Sequence, residues 1–278
     1  MRCASWVILA YAEGHNPNMK VALLLYGLFR HADVARFWRY AFPHGDIFVF
    51  STFTGHPYTP RSQDKTINSS QVFRGIATAK HWSVVDQNTY DRSINLNSHI
   101  TGAKDPWNSV NKTSLKNAVR VLFQLASLRD LFLTYDAGHT HLVLSRVDLL
   151  FVRPIRLHDI QHELVVPDYA HFGGKNDRFV AGPKDDVLYI MDRVQEWRRT
   201  SLLSEQLMGH MLRRKRHRCL HMGLTRRVRV GGQLVEAQYK FNPNTACLLD
   251  KVATMADLQP YKRTIDVCQK ELHSHRSW

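Results

Sequence analysis

The chain alternates between continuous apolar runs and stretches with helical periodicity, which is the pattern of an α/β domain. Residues 20–26 (KVALLLY) form one apolar run, and residues 46–51 (DIFVFS) form a second. Runs without polar alternation are typical of strands buried on both faces of a parallel sheet. Residues 32–41, between them, carry apolar and aromatic positions at helical spacing. The sequence therefore predicts a β-α-β opening.

The middle of the chain predicts a long loop, a long helix and a third strand. Residues 52–111 are rich in Ser, Thr, Asn, Pro and Gly, and loops of this length are usually functional or mobile. Within this stretch, residues 72–85 are the part expected to be ordered. Apolar side chains recur at helical spacing over residues 114–131. Residues 141–152 (HLVLSRVDLLFV) form an apolar run that contains a charge pair. We interpret this run as a single buried strand.

The last third of the chain continues the mixed pattern. Its predicted elements are a strand over residues 164–167, a glycine-rich loop over 172–180, helices over 187–198 and 202–214, and a hairpin over 225–241. With 278 residues, of which 44% are hydrophobic, the chain can build one large α/β domain. We assign residues 19–215 to this domain. Residues 1–18 are an expected N-terminal extension, and residues 216–278 an expected C-terminal extension packed on the same domain.

The charge and the cysteines limit the classes of function. A formal net charge of +14 indicates an anionic partner, which can be nucleic acid, an acidic membrane surface or a phosphorylated small molecule. No segment approaches the roughly 20 apolar residues that a membrane-spanning helix needs, so a soluble protein without a membrane span is expected. The four cysteines lack metal-ligand spacing and favour a reducing compartment. We therefore expect a cytoplasmic location.

The segment Ser145-Arg146-Val147-Asp148 is the most informative candidate site. Charges seldom interrupt a buried strand unless they lie at its end and face a ligand. Residues two apart in a strand share a face, so Arg146 and Asp148 can reach the same diphosphate and divalent metal. Carboxylate oxygens suit Mg²⁺ and Mn²⁺, and Asp148 is therefore the candidate metal ligand. A structural salt bridge at the end of the strand is the alternative.

Further candidates for phosphate or nucleotide binding follow the first two strands. Gly27 and Arg30 come just after the first strand, where open α/β sheets bind ligands. Ser51 and Thr52 end the second strand and are candidates for contact with a base or ribose. Lys116, near the start of the long helix, is a further phosphate candidate. A tight turn with a solvated arginine remains the alternative for the first pair.

Two carboxylates further along the chain are candidates for acid–base chemistry. Asp177 lies in a segment with two glycines (GGKNDR), as expected for a loop that shapes a ligand pocket. Glu205 follows Ser204 at the start of a predicted helix. Its alternative role is that of an ordinary carboxylate in the first turn of a capped helix.

Four segments together resemble a known family. They are residues 26–30 (YGLFR), 46–52 (DIFVFST), 145–155 (SRVDLLFVRPI) and 172–182 (FGGKNDRFVAG). Their order and spacing resemble exostosin-related GT-A glycosyltransferases, in particular the soluble glycan-building enzymes of large algal viruses, which include a chlorovirus xylosyltransferase. The resemblance covers roughly residues 20–212, most of the chain.

The resemblance implies a GT-A fold with a Rossmann-like nucleotide-binding half, and it implies glycosyltransferase activity. The expected reaction is transfer of a sugar, with xylose favoured, from a UDP-sugar to a hydroxyl of a glycan acceptor. Inversion at the anomeric carbon and assistance by Mn²⁺ or Mg²⁺ are implied. Asp177 is the first choice for the base that takes the acceptor's proton, and Glu205 is its rival. A viral enzyme of this kind is expected in the host cytoplasm.

This sequence departs from the family at the metal motif. SRVD stands where such enzymes carry D-x-D, and Arg146 replaces the first acidic residue. Either the single carboxylate of Asp148 holds the metal, or Arg146 neutralises the diphosphate directly.

A basic nucleic-acid-binding protein is the alternative function. The net charge and the run at residues 213–218 (RRKRHR) motivate it. The sequence has no zinc-finger spacing, no RNP-like aromatic signature and no recognisable helix-turn-helix. We therefore favour the enzyme, with nucleic acid as an unlikely partner. A third hypothesis is a non-catalytic carbohydrate-binding or structural protein, and only the aromatic content supports it.

Overall fold

The structure is a computed structural model, and part of the chain is described in it. The described residues are 18–29, 38, 42, 45–53, 72–73, 76–102, 105, 109–151, 157–167, 171, 173–200 and 204–220, together with the strands 225–228 and 234–235. Most of the predicted helix at residues 32–41 and of the predicted N-terminal extension lies outside these residues, as does Arg30.

The described residues form ten strands and six α-helices. The strands are β1 (Val21–Leu28), β2 (Asp46–Phe53), β3 (His81–Asp86), β4 (His141–Arg146), β5 (Leu149–Phe151), β6 (Leu164–Pro167), β7 (Phe179–Pro183), β8 (His217–Leu220), β9 (Thr225–Val228) and β10 (Leu234–Val235). The helices are α1 (Gln87–Ser93), α2 (Leu96–Ile100), α3 (Thr113–Tyr135), α4 (Lys184–Met191), α5 (Arg193–Thr200) and α6 (Ser204–Leu212), with 3₁₀ turns at Val110–Lys112 and Leu157–Ile160.

Seven of the described strands make one mixed sheet in the order β3-β2-β1-β4-β7-β6-β8. The pairs β1–β2, β2–β3, β1–β4 and β6–β8 are parallel, whereas β7 runs antiparallel to both β4 and β6. A small antiparallel sheet contains β10, β9 and β5. The predicted α/β class with a mostly parallel sheet flanked by helices is therefore confirmed.

Burial on both faces explains why β1 is a continuous apolar run. Leu23 and Leu25 pack on one face with Val49 and Trp38. Leu24 and its even-numbered neighbours pack on the other face against the apolar side of α3, α4 and α6. Because the first seven residues of β1 are buried, polar alternation is absent from it.

The strand order creates a switch point between β1 and β4. From β1 the chain builds β2 and β3 on one side, and it then returns to place β4 on the other side. The connections leaving β1 and β4 therefore diverge at the carboxyl ends of these strands. In open α/β sheets, ligands bind in the crevice outside such a point.

Two predicted elements are each interrupted by a turn. The predicted strand at residues 141–152 is β4 followed by β5, with Val147 and Asp148 in a turn between them. The apolar residues on both sides of the turn hide it in the sequence pattern. The predicted helix at residues 187–198 is α4 and α5, which separate at Asp192, where ψ is 22°. The predicted strand at residues 164–167 is confirmed as β6, and the predicted helix at residues 114–131 is confirmed as α3, which extends to Tyr135.

The predicted C-terminal extension takes part in both sheets. The strand β8 pairs in parallel with β6 in the main sheet, and β9 pairs with β5. β9 and β10 form the expected hairpin pair. Among the described helices, none is long and apolar enough to cross a membrane.

Candidate functional site

Tyr26 and Arg146 are neighbours at the carboxyl ends of β1 and β4. The register pairs them directly, and both side chains belong to the sheet face that α3, α4 and α6 cover. Arg146 donates from Nε to Oδ1 of Asp148 at 2.9 Å and from Nη2 to Oδ2 at 2.7 Å. The Asp148 side chain is 2% exposed and that of Arg146 is 21% exposed. The site is thus built around a bidentate, largely buried ion pair.

A turn, and not a strand, brings Arg146 and Asp148 together. The Val147 N–H donates to the carbonyl oxygen of Tyr26 at 2.7 Å, and the Arg146 N–H donates to the carbonyl oxygen of Arg178 at 3.2 Å. Our expectation that both side chains lie on one face of a strand was therefore wrong in its geometry. The alternative of a salt bridge at the end of the strand is the arrangement observed.

Asp177 is anchored to the same site through its backbone carbonyl. The Tyr26 hydroxyl donates to this oxygen at 2.8 Å. The guanidinium of Arg193, which is fully buried, lies with both terminal nitrogens 3.5 Å from it. The Asp177 carboxylate accepts a hydrogen bond from the hydroxyl of Ser204. Asp177 is thus fixed between the end of β1, α5 and the first residue of α6.

Glu205 lies close enough to Asp177 for the two carboxyl groups to interact electrostatically. Burial raises the pKa of the Glu205 carboxyl, and the negative charge of Asp177 raises it further. The positive charges of Arg178 and Arg146 act in the opposite direction and are smaller effects. A raised pKa lies closer to physiological pH, and a general base is most effective when its pKa is near the pH at which it works. The structure therefore brings together both carboxylates that the sequence singled out.

The glycine-rich loop packs tightly against α6. A Cβ on Gly174 would lie 1.9 Å from the carbonyl oxygen of Glu205, and a Cβ on Gly209 would lie 3.3 Å from the Cα of Gly174. The Lys175 N–H donates to the carbonyl oxygen of Glu205 at 2.8 Å. Glycine is therefore needed at position 174 for close approach of two backbones, and this approach carries Asp177 to Glu205.

The site keeps its donors in defined protonation states. Burial raises the pKa of Tyr26 to about 12, so its phenol remains a neutral hydrogen-bond donor at physiological pH. Burial would lower the pKa of the Arg146 guanidinium, but the charge of Asp148 outweighs burial and raises it. Arg146 is therefore a permanent cation at the switch point.

The predicted residues at the end of β2 serve internal hydrogen bonds. The Ser51 hydroxyl donates to the carbonyl oxygen of Gly27 at 2.8 Å, and Gln124 Nε2 donates to Oγ1 of Thr52 at 2.9 Å. Ser51 and Thr52 are fully buried. Gly27 has φ of 118°, a conformation that side-chain-bearing residues rarely adopt. These residues shape the backbone at the switch point.

The remaining donor candidates are not joined to this cluster. Lys116 lies in the first turn of α3, eight positions before Gln124, which places it roughly 12 Å further along the helix axis. No contact among the described residues links Lys116 to Arg146 or Asp148. Arg30 lies outside the described residues.

The residues at Asp148 do not fit a Mn²⁺ or Mg²⁺ site. Both carboxylate oxygens accept hydrogen bonds from Arg146, so the expected metal ligand is already neutralised by a cation. Within the described ranges, no group of three or more His, Cys, Asp and Glu side chains is placed to hold a metal ion. Mg²⁺ and Mn²⁺ can be held by one carboxylate together with phosphate and water oxygens, but at Asp148 such a metal would have to displace the guanidinium of Arg146.

Carboxylates neutralise most of the basic run at residues 213–218. Arg214 pairs with Glu196 at 3.1 Å and Lys215 with Asp186 at 2.7 Å. Arg216 and Arg218 each lie 3.3 Å from a carboxylate oxygen of Glu163. The run therefore serves mainly to attach the end of α6 and β8 to α4, α5 and the residues preceding β6.

Sequence reasoning missed three residues of this site. Tyr26 ends the apolar strand and begins the segment YGLFR, but no role in the site was predicted for it, although its place before Gly27 at the strand end is a usable signal. Arg193 carries no such signal, because an arginine is normally solvated and only the fold buries it. Ser204 was read as a helix cap, and it is the partner of the Asp177 carboxylate.

Comparison with known proteins does not assign this chain to a family: no family model and no curated protein sequence matches it. The geometry of the described residues and the resemblance in four sequence segments are therefore the grounds for proposing a function.

Proposed function

We propose that the chain is a glycosyltransferase that binds a nucleotide-sugar donor at the switch point between β1 and β4. One observation carries this proposal. A permanent cation, Arg146, lies at the carboxyl end of β4 beside two carboxylates, Asp177 and Glu205, that come from distant parts of the chain. A cation and a carboxyl of raised pKa are the two groups that transfer from a diphosphate donor requires.

The proposed reaction forms one bond and breaks one bond. The acceptor hydroxyl gives its proton to a carboxylate while its oxygen attacks the anomeric carbon of the donor. The bond between that carbon and the diphosphate oxygen breaks, and the nucleoside diphosphate departs with the electron pair. Arg146 stabilises the negative charge that develops on the diphosphate. Attack from the face opposite the leaving group inverts the anomeric carbon.

Glu205 is the base that the electrostatics favour. Its pKa is raised by burial and by Asp177, whereas the Asp177 carboxylate is engaged by the Ser204 hydroxyl. A pair of carboxyl groups in unlike environments is the usual basis for a division of acid and base roles. We assign proton removal to Glu205 and orientation of the sugar or acceptor hydroxyls to Asp177, which reverses the order of preference drawn from the sequence.

Donor identity follows from the resemblance to exostosin-related GT-A enzymes. We propose UDP as the nucleotide, xylose as the sugar, and a hydroxyl of a glycan as the acceptor. The GT-A fold belongs to the same proposal and is supported by the parallel strands β3-β2-β1-β4 and the charged turn after β4. The alternative of nucleic-acid binding rests on the basic run at residues 213–218. It loses support because carboxylates pair with four side chains of that run.

Release of UDP from UDP-xylose, UDP-glucose and UDP-galactose tests the proposal without knowledge of the acceptor. We expect one donor to be hydrolysed slowly by the wild type. Glu205→Gln should lower the rate by about 100-fold or more, the range for removal of a general base, while UDP affinity is kept. Asp185→Asn, which changes an exposed carboxylate in the first turn of α4, is the matched control. Failure of all three donors to bind or react would refute the proposal.

A further inference from the structure

The guanidinium of Arg146 at the switch point has a positive charge and a donor geometry that suit a diphosphate. Arg146 uses Nε and Nη2 on the two oxygens of Asp148, so the two N–H groups on Nη1 remain outside the pair. The guanidinium is planar and matches the oxygens of a phosphate group. One side chain can therefore hold Asp148 and present donors to a diphosphate at the same time.

The surrounding backbone holds this pair in one arrangement. The turn is fixed at Val147 by the carbonyl of Tyr26 and at Arg146 by the carbonyl of Arg178. The Asp148 side chain is 2% exposed, so solvent screens the pair only weakly. A divalent cation that approached the same carboxylate would meet the guanidinium at short range and would have to displace it. The arrangement therefore opposes a metal at Asp148, while the N–H groups on Nη1 of Arg146 remain as donors for an anion.

We infer that the Arg146–Asp148 ion pair takes the place of a divalent cation, and that Arg146 binds the donor diphosphate directly without a resident metal. This inference rests on the proposed function. Asp148 is then a positioning residue, which orients the guanidinium and balances part of its charge. The positive charge that neutralises the leaving diphosphate comes from the chain itself.

Titrations with Mn²⁺ and with UDP test this inference separately. Mn²⁺ is titrated into the purified full chain without nucleotide and followed by electron paramagnetic resonance. UDP is titrated by calorimetry in excess EDTA and again in Mn²⁺. Three variants are compared with the wild type. Arg146→Asp restores two carboxylates at the family's spacing, and Arg146→Lys keeps the charge but loses the planar guanidinium. Asp148→Asn removes the carboxylate that a metal would use. Arg199→Asp, at a side chain that is 74% exposed, is the matched control.

The wild type is expected to bind UDP equally, within about threefold, in EDTA and in Mn²⁺, and to show no saturable Mn²⁺ site. Arg146→Lys should weaken UDP binding in EDTA by about tenfold, as expected for loss of a charge-assisted bidentate contact. Arg146→Asp should gain a Mn²⁺ site and bind UDP only with the metal. The control should match the wild type.

Two results would overturn the inference. One is a stoichiometric Mn²⁺ site in the wild type that Asp148→Asn removes, and the other is UDP binding by the wild type that requires Mn²⁺. If the wild type binds no UDP under either condition, the proposed function fails. The Mn²⁺ titrations need no nucleotide, and they still decide whether Arg146 excludes a metal from Asp148. If Arg146→Asp does not fold, UDP and Mn²⁺ binding by the wild type and by Arg146→Lys still test the inference.

Discussion

A side-chain carbon on Gly174 would lie 1.9 Å from the carbonyl oxygen of Glu205. This approach is closer than any packed Cβ can tolerate, so the loop before β7 and the first turn of α6 must separate if position 174 gains a side chain. Since the Lys175 N–H bonds the same carbonyl, the contact connects the loop that holds Asp177 to the helix that holds Glu205. The close approach of two backbones is thus what assembles the carboxylate pair.

Gly174→Ala should separate this pair. We expect a loss of about 1–3 kcal/mol in the free energy of unfolding, the range for overpacking, together with loss of UDP release. Gly209→Ala is the control, because its Cβ would lie 3.3 Å from the Cα of Gly174 and alanine favours a helix. Urea denaturation compares the two. Equal stability of Gly174→Ala and the wild type would contradict the close packing.

Tyr26→Phe should weaken the anchoring of Asp177. The substitution removes a hydroxyl that donates to the Asp177 carbonyl at 2.8 Å from a fully buried position. The expected cost is about 1 kcal/mol in the free energy of unfolding. Tyr135→Phe, at a ring that is 49% exposed and stacked on His81, should change stability by less than about 0.5 kcal/mol. A similar cost for both variants would mean that the Tyr26 hydroxyl is not a structural donor.

Glu205→Gln should stabilise the fold at neutral pH while it removes activity. The folded-state pKa of Glu205 is raised above its value of 4.5 in the unfolded chain, so its stabilising contribution is complete below that value and is lost as pH rises through the folded pKa. The variant should therefore gain stability relative to the wild type between pH 4 and pH 7, as urea denaturation can measure. Asp185→Asn should show no such gain. A gain that shrinks with rising pH would contradict the raised pKa.

Acid should weaken the opposite end of the sheet through Asp136. Burial alone would raise the pKa of this carboxyl, but hydrogen bonds from the backbone and ring of His139 and from Lys184 lower it to about 2 from 3.8. His139 also lies 3.1 Å from a carboxylate oxygen of Asp46, so the contact joins the beginnings of β2 and β4. The stability that a lowered carboxyl pKa provides is complete above about pH 4 and is lost as pH falls towards 2.

Asp136→Asn should therefore remove part of the acid sensitivity of folding. We expect a loss of about 1–2 kcal/mol at pH 7, after allowance for solvent screening, and a smaller loss at pH 3. Asp130→Asn, at a side chain that is 76% exposed, should have little effect at either pH. Denaturation curves at the two pH values provide the comparison. A loss for Asp136→Asn that is independent of pH would show that the carboxyl is not stabilised in its charged form.

The sequence predicted the strands at the centre of the sheet because burial on two faces leaves a continuous apolar run. It also singled out Arg146 and Asp148, since charges seldom interrupt a buried strand. Asp177 was singled out by the two glycines before it, and Glu205 by its place after Ser204 at a helix start. The turn at Val147 was hidden because valine continues the apolar pattern on both sides of it. The sequence pattern therefore predicted that Arg146 and Asp148 lie together, but with the wrong backbone geometry.

The roles of Gly174 and Arg193 depend on contacts that no local pattern encodes. Glycine in a loop normally indicates flexibility, whereas here it permits contact with a helix 31 positions later in the chain, at Glu205. An arginine normally remains in water, and Arg193 is fully buried because Ile190 and Asp177 supply carbonyl acceptors. Contacts between residues far apart in the sequence therefore limited the prediction of this site.

Hydrogen–deuterium exchange with and without UDP-xylose tests the central claim most directly, because it locates the donor on the chain. We predict slower exchange at the end of β1, at the turn of residues 146–148 and in the loop of residues 173–178. At a donor concentration near the dissociation constant of the wild type, the protection should decrease in Arg146→Lys and be unchanged in Arg199→Asp. Protection confined to other parts of the sheet, or no change with any UDP-sugar, would contradict a donor site at the switch point between β1 and β4.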